Sequence, residues 1–183
     1  MTPRDPPSAG TGDLRAVTLV APGKDTALVA RLLRYAEIAY APAHDLADLR
    51  QWILAGCGPV VVAEEAVAGD VGSLIRSLET QPNWSDIPVV LFARQHGALP
   101  PPLQPLVARS NTTMLRRPVQ AVTFLSVIRS AVTDRQRQYA VRDLLHSLER
   151  LNRRNRRRIV QLQRLAAQLT RAEERERRRL AGV

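Results

Sequence analysis

The chain has 183 residues, 45% of them apolar and only 4% aromatic, so it has enough material for one core made mostly of Val, Leu, Ile and Ala. Its longest apolar runs, such as Val89-Val90-Leu91-Phe92-Ala93, are strand-sized and too short to cross a bilayer, and the single Cys57 rules out a disulfide framework or a thiolate metal site. The net charge of +10 is uneven: residues 1–133 hold 12 Lys/Arg and 11 Asp/Glu, whereas residues 134–183 hold 15 Arg and 6 Asp/Glu. The first stretch reads as a near-neutral globule and the second as a basic tail.

Residues 1–13 are rich in Pro, Gly and small polar residues and lack the layout of a signal peptide, so a disordered leader and a cytoplasmic protein are expected. The first strand is Ala16-Val17-Thr18-Leu19-Val20, stopped at Pro22-Gly23, and Leu28, Val29, Leu32 and Leu33 then share one helical face. A weak second strand falls near Ile38-Ala39-Tyr40. Asp45 is read as the N-cap of a helix carrying Leu46, Leu49, Trp52 and Ile53. Pro59 opens the third strand, Val60-Val61-Val62-Ala63, and Val71, Leu74, Ile75 and Leu78 mark the next helix. The fourth strand is Val89-Val90-Leu91-Phe92. Four prolines between Gly97 and Pro105 make the fourth helix late and short. Thr112-Thr113-Met114-Leu115 is the last strand, ending at Arg116-Arg117-Pro118. From Gln120 to Ala181 no Gly or Pro interrupts a run of good helix formers.

Five strand–helix alternations predict an α/β domain over residues 14–133, with a five-stranded doubly wound parallel sheet. Residues 134–183 continue as a long C-terminal α-helix forming a coiled coil.

A domain of this size whose last strand ends in a basic residue and Pro resembles the receiver domain of two-component response regulators, which has a flavodoxin-like fold. The resemblance covers roughly residues 14–133, and the sequence departs from it at the reactive positions. Receivers place acidic Mg²⁺ ligands after the first strand, where Ala21 and Pro22 stand here; Asp25, slightly further on, is read as a helix cap. The phosphoacceptor position corresponds to Glu64, beside Glu65, and the hydroxyl that senses the phosphoryl group corresponds to Ala93. The conserved Lys corresponds to Arg117, before Pro118, a peptide bond expected to be worth checking for the cis form. The resemblance thus implies a phosphorylation-incompetent pseudo-receiver without catalytic residues, metal or cofactor. Glu64 and Glu65 are either solvated loop carboxylates, or Glu64 pairs with Arg117. Cys57 is expected to be a small buried residue, and His44, His96 and His146 have no metal-ligand spacing.

In the tail, one seam position takes Val141, Leu148, Asn155, Leu162, Leu169 and Glu176, and its partner takes Leu144, Leu151, Arg158, Leu165, Ala172 and Arg179. Eight of these twelve are apolar, and Asn155 at the centre favours a parallel homodimer. Leu145 and Ile159 lie beside the seam and would support a four-helix contact or a local shift of register. The segment Arg171 to Ala181 is similar to the approach to the dimerisation and phosphotransfer helix of one class of sensor histidine kinases, which implies that the chain is the N-terminal regulatory part of a larger kinase. The basic run from Asn152 to Arg158 invites a nucleic-acid reading. It lies inside the coil, however, and Tyr139 is the only aromatic in the tail, so neither nucleic acid nor membrane is expected as a partner. The function expected is a non-catalytic regulatory and dimerisation module that relays a signal through a parallel coiled coil, with a partner signalling protein possible. The alternative is an antiterminator-like nucleic-acid-binding regulator with a pseudo-receiver and a basic coiled coil.

Overall fold

The computed structural model describes residues 13–21 and 23–181, so the expected leader, apart from Asp13, and the whole of Pro22 lie outside the described residues. The chain divides into two units, residues 1–140 and 141–183.

In the first unit the elements follow the order β1 (Ala16–Leu19), α1 (Lys24–Tyr35), β2 (Tyr40–Pro42), α2 (Leu46–Ala55), β3 (Val60–Ala63), α3 (Glu64–Val67), α4 (Val71–Glu79), β4 (Val89–Ala93), a 3-10 turn (Pro101–Leu103), α5 (Gln104–Val107) and β5 (Thr112–Arg116). Helix α6 spans Ala121–Ala181, and its first five turns belong to this unit. The strands form one all-parallel sheet in the order β2-β1-β3-β4-β5. This is the doubly wound flavodoxin-like order, in which the chain reverses direction of travel between β1 and β3.

Burial explains why the strands read as unbroken apolar runs. Every residue of β1, β3 and β4 is buried, because helices cover both faces of the sheet. On one face, Leu49, Trp52 and Ile53 of α2 and Leu74 and Leu78 of α4 pack with Leu103 and Leu106. On the other face, Val29 and Leu33 of α1 pack with Phe124, Leu125 and Ile128 of α6. Asp45 caps α2 by accepting a 2.8 Å bond from the Asp48 N–H, as its position predicts. At the start of β3, Gly58 passes so close to β1 that a Cβ there would collide with the carbonyl oxygens of Leu14 and Arg15.

The second strand lies later than the sequence pattern places it. Glu37 takes a left-handed φ of 57° and the Ile38 N–H donates to the Leu33 carbonyl, so Ile38 closes α1 and pairing begins only at Tyr40. The short α3, directly after β3, has too few residues to show helical periodicity in the sequence.

At the N-terminal edge of the sheet, Arg135 of α6 is fully buried. Its Nε donates to the Cys57 carbonyl at 2.8 Å, and its Nη1 donates to Ser85 Oγ at 2.7 Å and to Gln138 Oε1 at 2.6 Å. The guanidinium sits 4.4 Å from the centre of the Tyr139 ring and 5.5 Å from that of Trp84. Carbonyl dipoles and ring quadrupoles thus stand in for a carboxylate. The Tyr139 hydroxyl donates to the Asp13 and Cys57 carbonyls. Burial pushes the Cys57 thiol up to about 12 against the lowering effect of Arg135, so it stays neutral.

In the second unit, residues 141–181 are helical throughout. Among the described residues no helix is long and apolar enough to cross a membrane.

Phe124 is buried against Phe92, with ring centroids 5.5 Å apart. Phe124→Ala is expected to lower unfolding free energy by about 3–5 kcal/mol, measured by urea denaturation.

Candidate functional site

The C-terminal edge of the sheet gathers most of the chain's unusual polar groups. Ala21 follows β1, Asp25 lies in the first turn of α1, Glu64 and Glu65 follow β3, Ala93 ends β4, and Arg117 follows β5. The structure brings Ala21, Glu64, Ala93 and Arg117 to this one edge, at the β1/β3 switch point where doubly wound sheets form their sites. Pro22 lies outside the described residues. The Arg117–Pro118 peptide bond is cis, and the Arg117 N–H donates to the Ala93 carbonyl at 3.0 Å.

Glu64 does not pair with Arg117. Its carboxylate is almost fully buried and closes on Arg94. Oε2 accepts from the Arg94 backbone N–H at 3.0 Å, and Oε1 accepts from Nε at 2.8 Å and lies 2.8 Å from Nη2 as an ion pair. The reason is the side of the sheet on which each group falls. Glu64 lines a cavity with Ala93, Arg94 and Arg116, whereas Arg117, the residue directly after β5, lines another with Asp25 and Glu65.

Arg117 therefore spans two carboxylates. Its Nη2 donates to Glu65 Oε2 at 2.6 Å and its Nη1 to Asp25 Oδ2 at 2.9 Å. Asp25 is not the cap of α1: the N-cap is Gly23, and no side chain caps it. The Ala21 carbonyl is held instead by Thr26, whose hydroxyl donates to it at 2.7 Å. Partial burial alone would raise the Glu65 carboxyl. The hydrogen bond from Arg117, a backbone hydrogen bond and the charges of Arg117 and Arg94 outweigh that and hold it below the ordinary carboxylate range. The same bond to Glu65, against partial burial, shifts Arg117 upward and keeps it charged.

The cavity of about 230 Å³ at this point is lined by Val20, Ala21, Gly23, Asp25, Ala63, Glu65 and Arg117. A hard cation there would need oxygen ligands, but Asp25 and Glu65 each already commit an oxygen to Arg117, and Ala21 has no side-chain oxygen. The edge thus holds two separate ion-pair groups, Glu64 with Arg94 and Asp25 and Glu65 with Arg117. Sequence reasoning missed Arg94; the only signal for it was a lone basic residue directly after the fourth apolar run.

The seam residues lie in the second unit. Val141, Leu144, Leu148, Leu151, Leu162, Leu165 and Leu169 are exposed by 49–65%, and Asn155 is exposed between them. Leu145, Ile159 and Val160 add to the exposed apolar surface.

No protein-family model matches the chain, and no curated protein matches it. Among solved structures, it is similar to a response regulator receiver domain protein from Bacillus halodurans C-125, with 14% identity, a TM-score of 0.47, and 67% of this chain and 97% of that one covered. It is also similar to the constitutive lysine decarboxylase of E. coli, with 14% identity, a TM-score of 0.50, and 67% of this chain but only 18% of that one covered. At this identity the second likeness speaks for the fold of the domain and not for its chemistry.

A lowered carboxyl stabilises the fold above its unfolded value and loses that contribution as pH falls through the folded one. Stability is therefore expected to drop below about pH 4.5 partly through Glu65. Glu65→Gln should flatten that acid limb, as followed by thermal melts from pH 7 to pH 3.

Proposed function

We propose that the chain is a receiver-like regulatory module that accepts no phosphoryl group and works as a parallel homodimer through its C-terminal helix, within a two-component sensor kinase. The observation that carries this reading is Arg117 bridging Asp25 and Glu65. A phosphoacceptor site needs a free carboxylate, a bound Mg²⁺ and a mobile cation. At this edge Glu64 is closed on Arg94, and the remaining carboxylates hold Arg117 in place. Ala21 and Ala93 supply methyl groups where the resemblance calls for an acid and a hydroxyl. With its internal charges already compensated, the domain is set in one state, and what it passes on is the pairing of its helix. The sensor-kinase context draws on Arg171-Ala172-Glu173-Glu174-Arg175-Glu176-Arg177-Arg178-Arg179.

Incubation with acetyl phosphate and Mg²⁺ should leave the intact mass unchanged, and a gain of one phosphoryl group would overturn the reading. Light scattering at tens of micromolar should give twice the chain mass.

A second reading, binding to nucleic acid, is favoured by Arg154, Arg156, Arg157 and Arg158, which are exposed and form no ion pair among the described residues. Against it, Tyr139 is buried and offers no surface for base stacking. If the second reading held, RNA affinity would fall steeply between low and physiological salt; weak, salt-insensitive binding is expected.

A further inference from the structure

The second unit carries a row of exposed apolar side chains that a lone helix in water would not keep. From Val141 to Asn155 the row follows one heptad frame: Val141, Leu144, Leu148, Leu151, Asn155. Beyond Asn155 two frames compete. Continuing the heptad selects Arg158, Leu162, Leu165 and Leu169. A step of four residues instead selects Ile159, Leu162, Ala166 and Leu169. Leu162 and Leu169 serve both frames.

The physical difference lies at Arg158. In the heptad frame, its guanidinium would face its own counterpart across a dry seam, so two like charges would be desolvated together. The four-residue step moves Arg158 to the flank and brings in Ile159, which is 54% exposed on the isolated helix. Such an insertion of four residues unwinds a left-handed supercoil locally without interrupting it. Leu151, Asn155 and Ile159 are spaced four and four, which is the pattern of that step.

The occupant of this face is argued from where the charge lies. Between Val141 and Leu169 the helix carries eight arginines, and six of them (Arg142, Arg150, Arg153, Arg156, Arg157 and Arg164) fall on heptad positions turned away from the seam. Arg153 also pairs on that outer side with Glu149 at 3.6 Å. A basic helix built to grip an acidic partner would line its seam with arginines. This one keeps all but Arg158 off its core positions in the heptad frame, and all eight off them with the four-residue step, which lets a second, equally basic copy approach. Asn155 in the seam fixes a parallel, in-register pairing.

We propose that two copies of the chain pair in parallel along residues 141–169, the seam stepping by four at Asn155 so that Ile159 and Ala166, not Arg158 and Leu165, meet their counterparts. The homodimer proposed above is its premise. The test is disulfide cross-linking of single-cysteine variants of the full chain: R158C, I159C, L162C, L165C and A166C, with R153C as the outward-facing control. All these positions are exposed in the single helix, so folding is not at stake, and the buried, neutral Cys57 thiol adds no background.

Under mild oxidation L162C should cross-link whichever frame is adopted, and I159C and A166C about tenfold faster than R158C and L165C, since symmetric disulfides form only where Cα atoms approach within bonding reach. Faster cross-linking of R158C and L165C, or equal rates for both pairs, would overturn the four-residue step while leaving the dimer intact. A dimeric mass with no cross-link at L162C would overturn the parallel arrangement. A monomeric mass would sink the dimer itself.

Discussion

A parallel sheet covered on both faces can show water only the ends of its strands, and this constraint organises the rest of the first unit. Because β1, β3 and β4 are buried along their whole length, their side chains are apolar apart from Thr18. Each parallel connection must also cross a face, so α2 and α4 take one side and α1 and the start of α6 the other. The polar groups that remain collect at the two edges. Asp25, Glu64, Glu65, Arg94 and Arg117 gather at the C-terminal edge, and Arg135 with its carbonyl and aromatic partners at the N-terminal one.

The two edges solve the same electrostatic problem differently. At the C-terminal edge Arg94 and Arg117 meet carboxylates, and their charge is offset by opposite charge at 2.6–2.9 Å. At the N-terminal edge, Arg135 has only neutral acceptors and two ring faces among the described residues, with Ser85 and Gln138 held by further hydrogen bonds to Gln81 and Asp86. Both arrangements act on α6. Arg117 stands just before its first turn, and Arg135 lies on its fourth. The stretch of α6 within the first unit is thus tied at both edges of the sheet, while Phe124, Leu125 and Ile128 fill the layer between.

Charge at the C-terminal edge is compensated group by group. Glu64 pairs with Arg94, and Asp25 and Glu65 pair with Arg117. Here the carboxylates at the edge all have guanidinium partners, and the cavity beside Ala21 is lined by groups already bonded to one another. The basic character of the chain lies elsewhere, on the helix of the second unit.

The sequence by itself determined the sheet, its approximate strand positions and the cap at Asp45. It could do so because apolar runs, Pro and Gly breaks and helix caps act over a few residues. The parallel sheet read from it also puts Ala21, Glu64, Ala93 and Arg117 at one edge, since parallel strands all end on the same side. Only the tertiary structure decided which charges pair. Glu64 was expected either to be solvated or to pair with Arg117, and is buried against Arg94; Asp25 was expected to cap α1 and holds Arg117. Arg135 was read only as part of a basic tail and is the most deeply buried charge in the domain. Such pairings depend on which face of the sheet a side chain leaves from and on neighbours 30 to 92 residues away, and neither leaves a periodic trace in the chain.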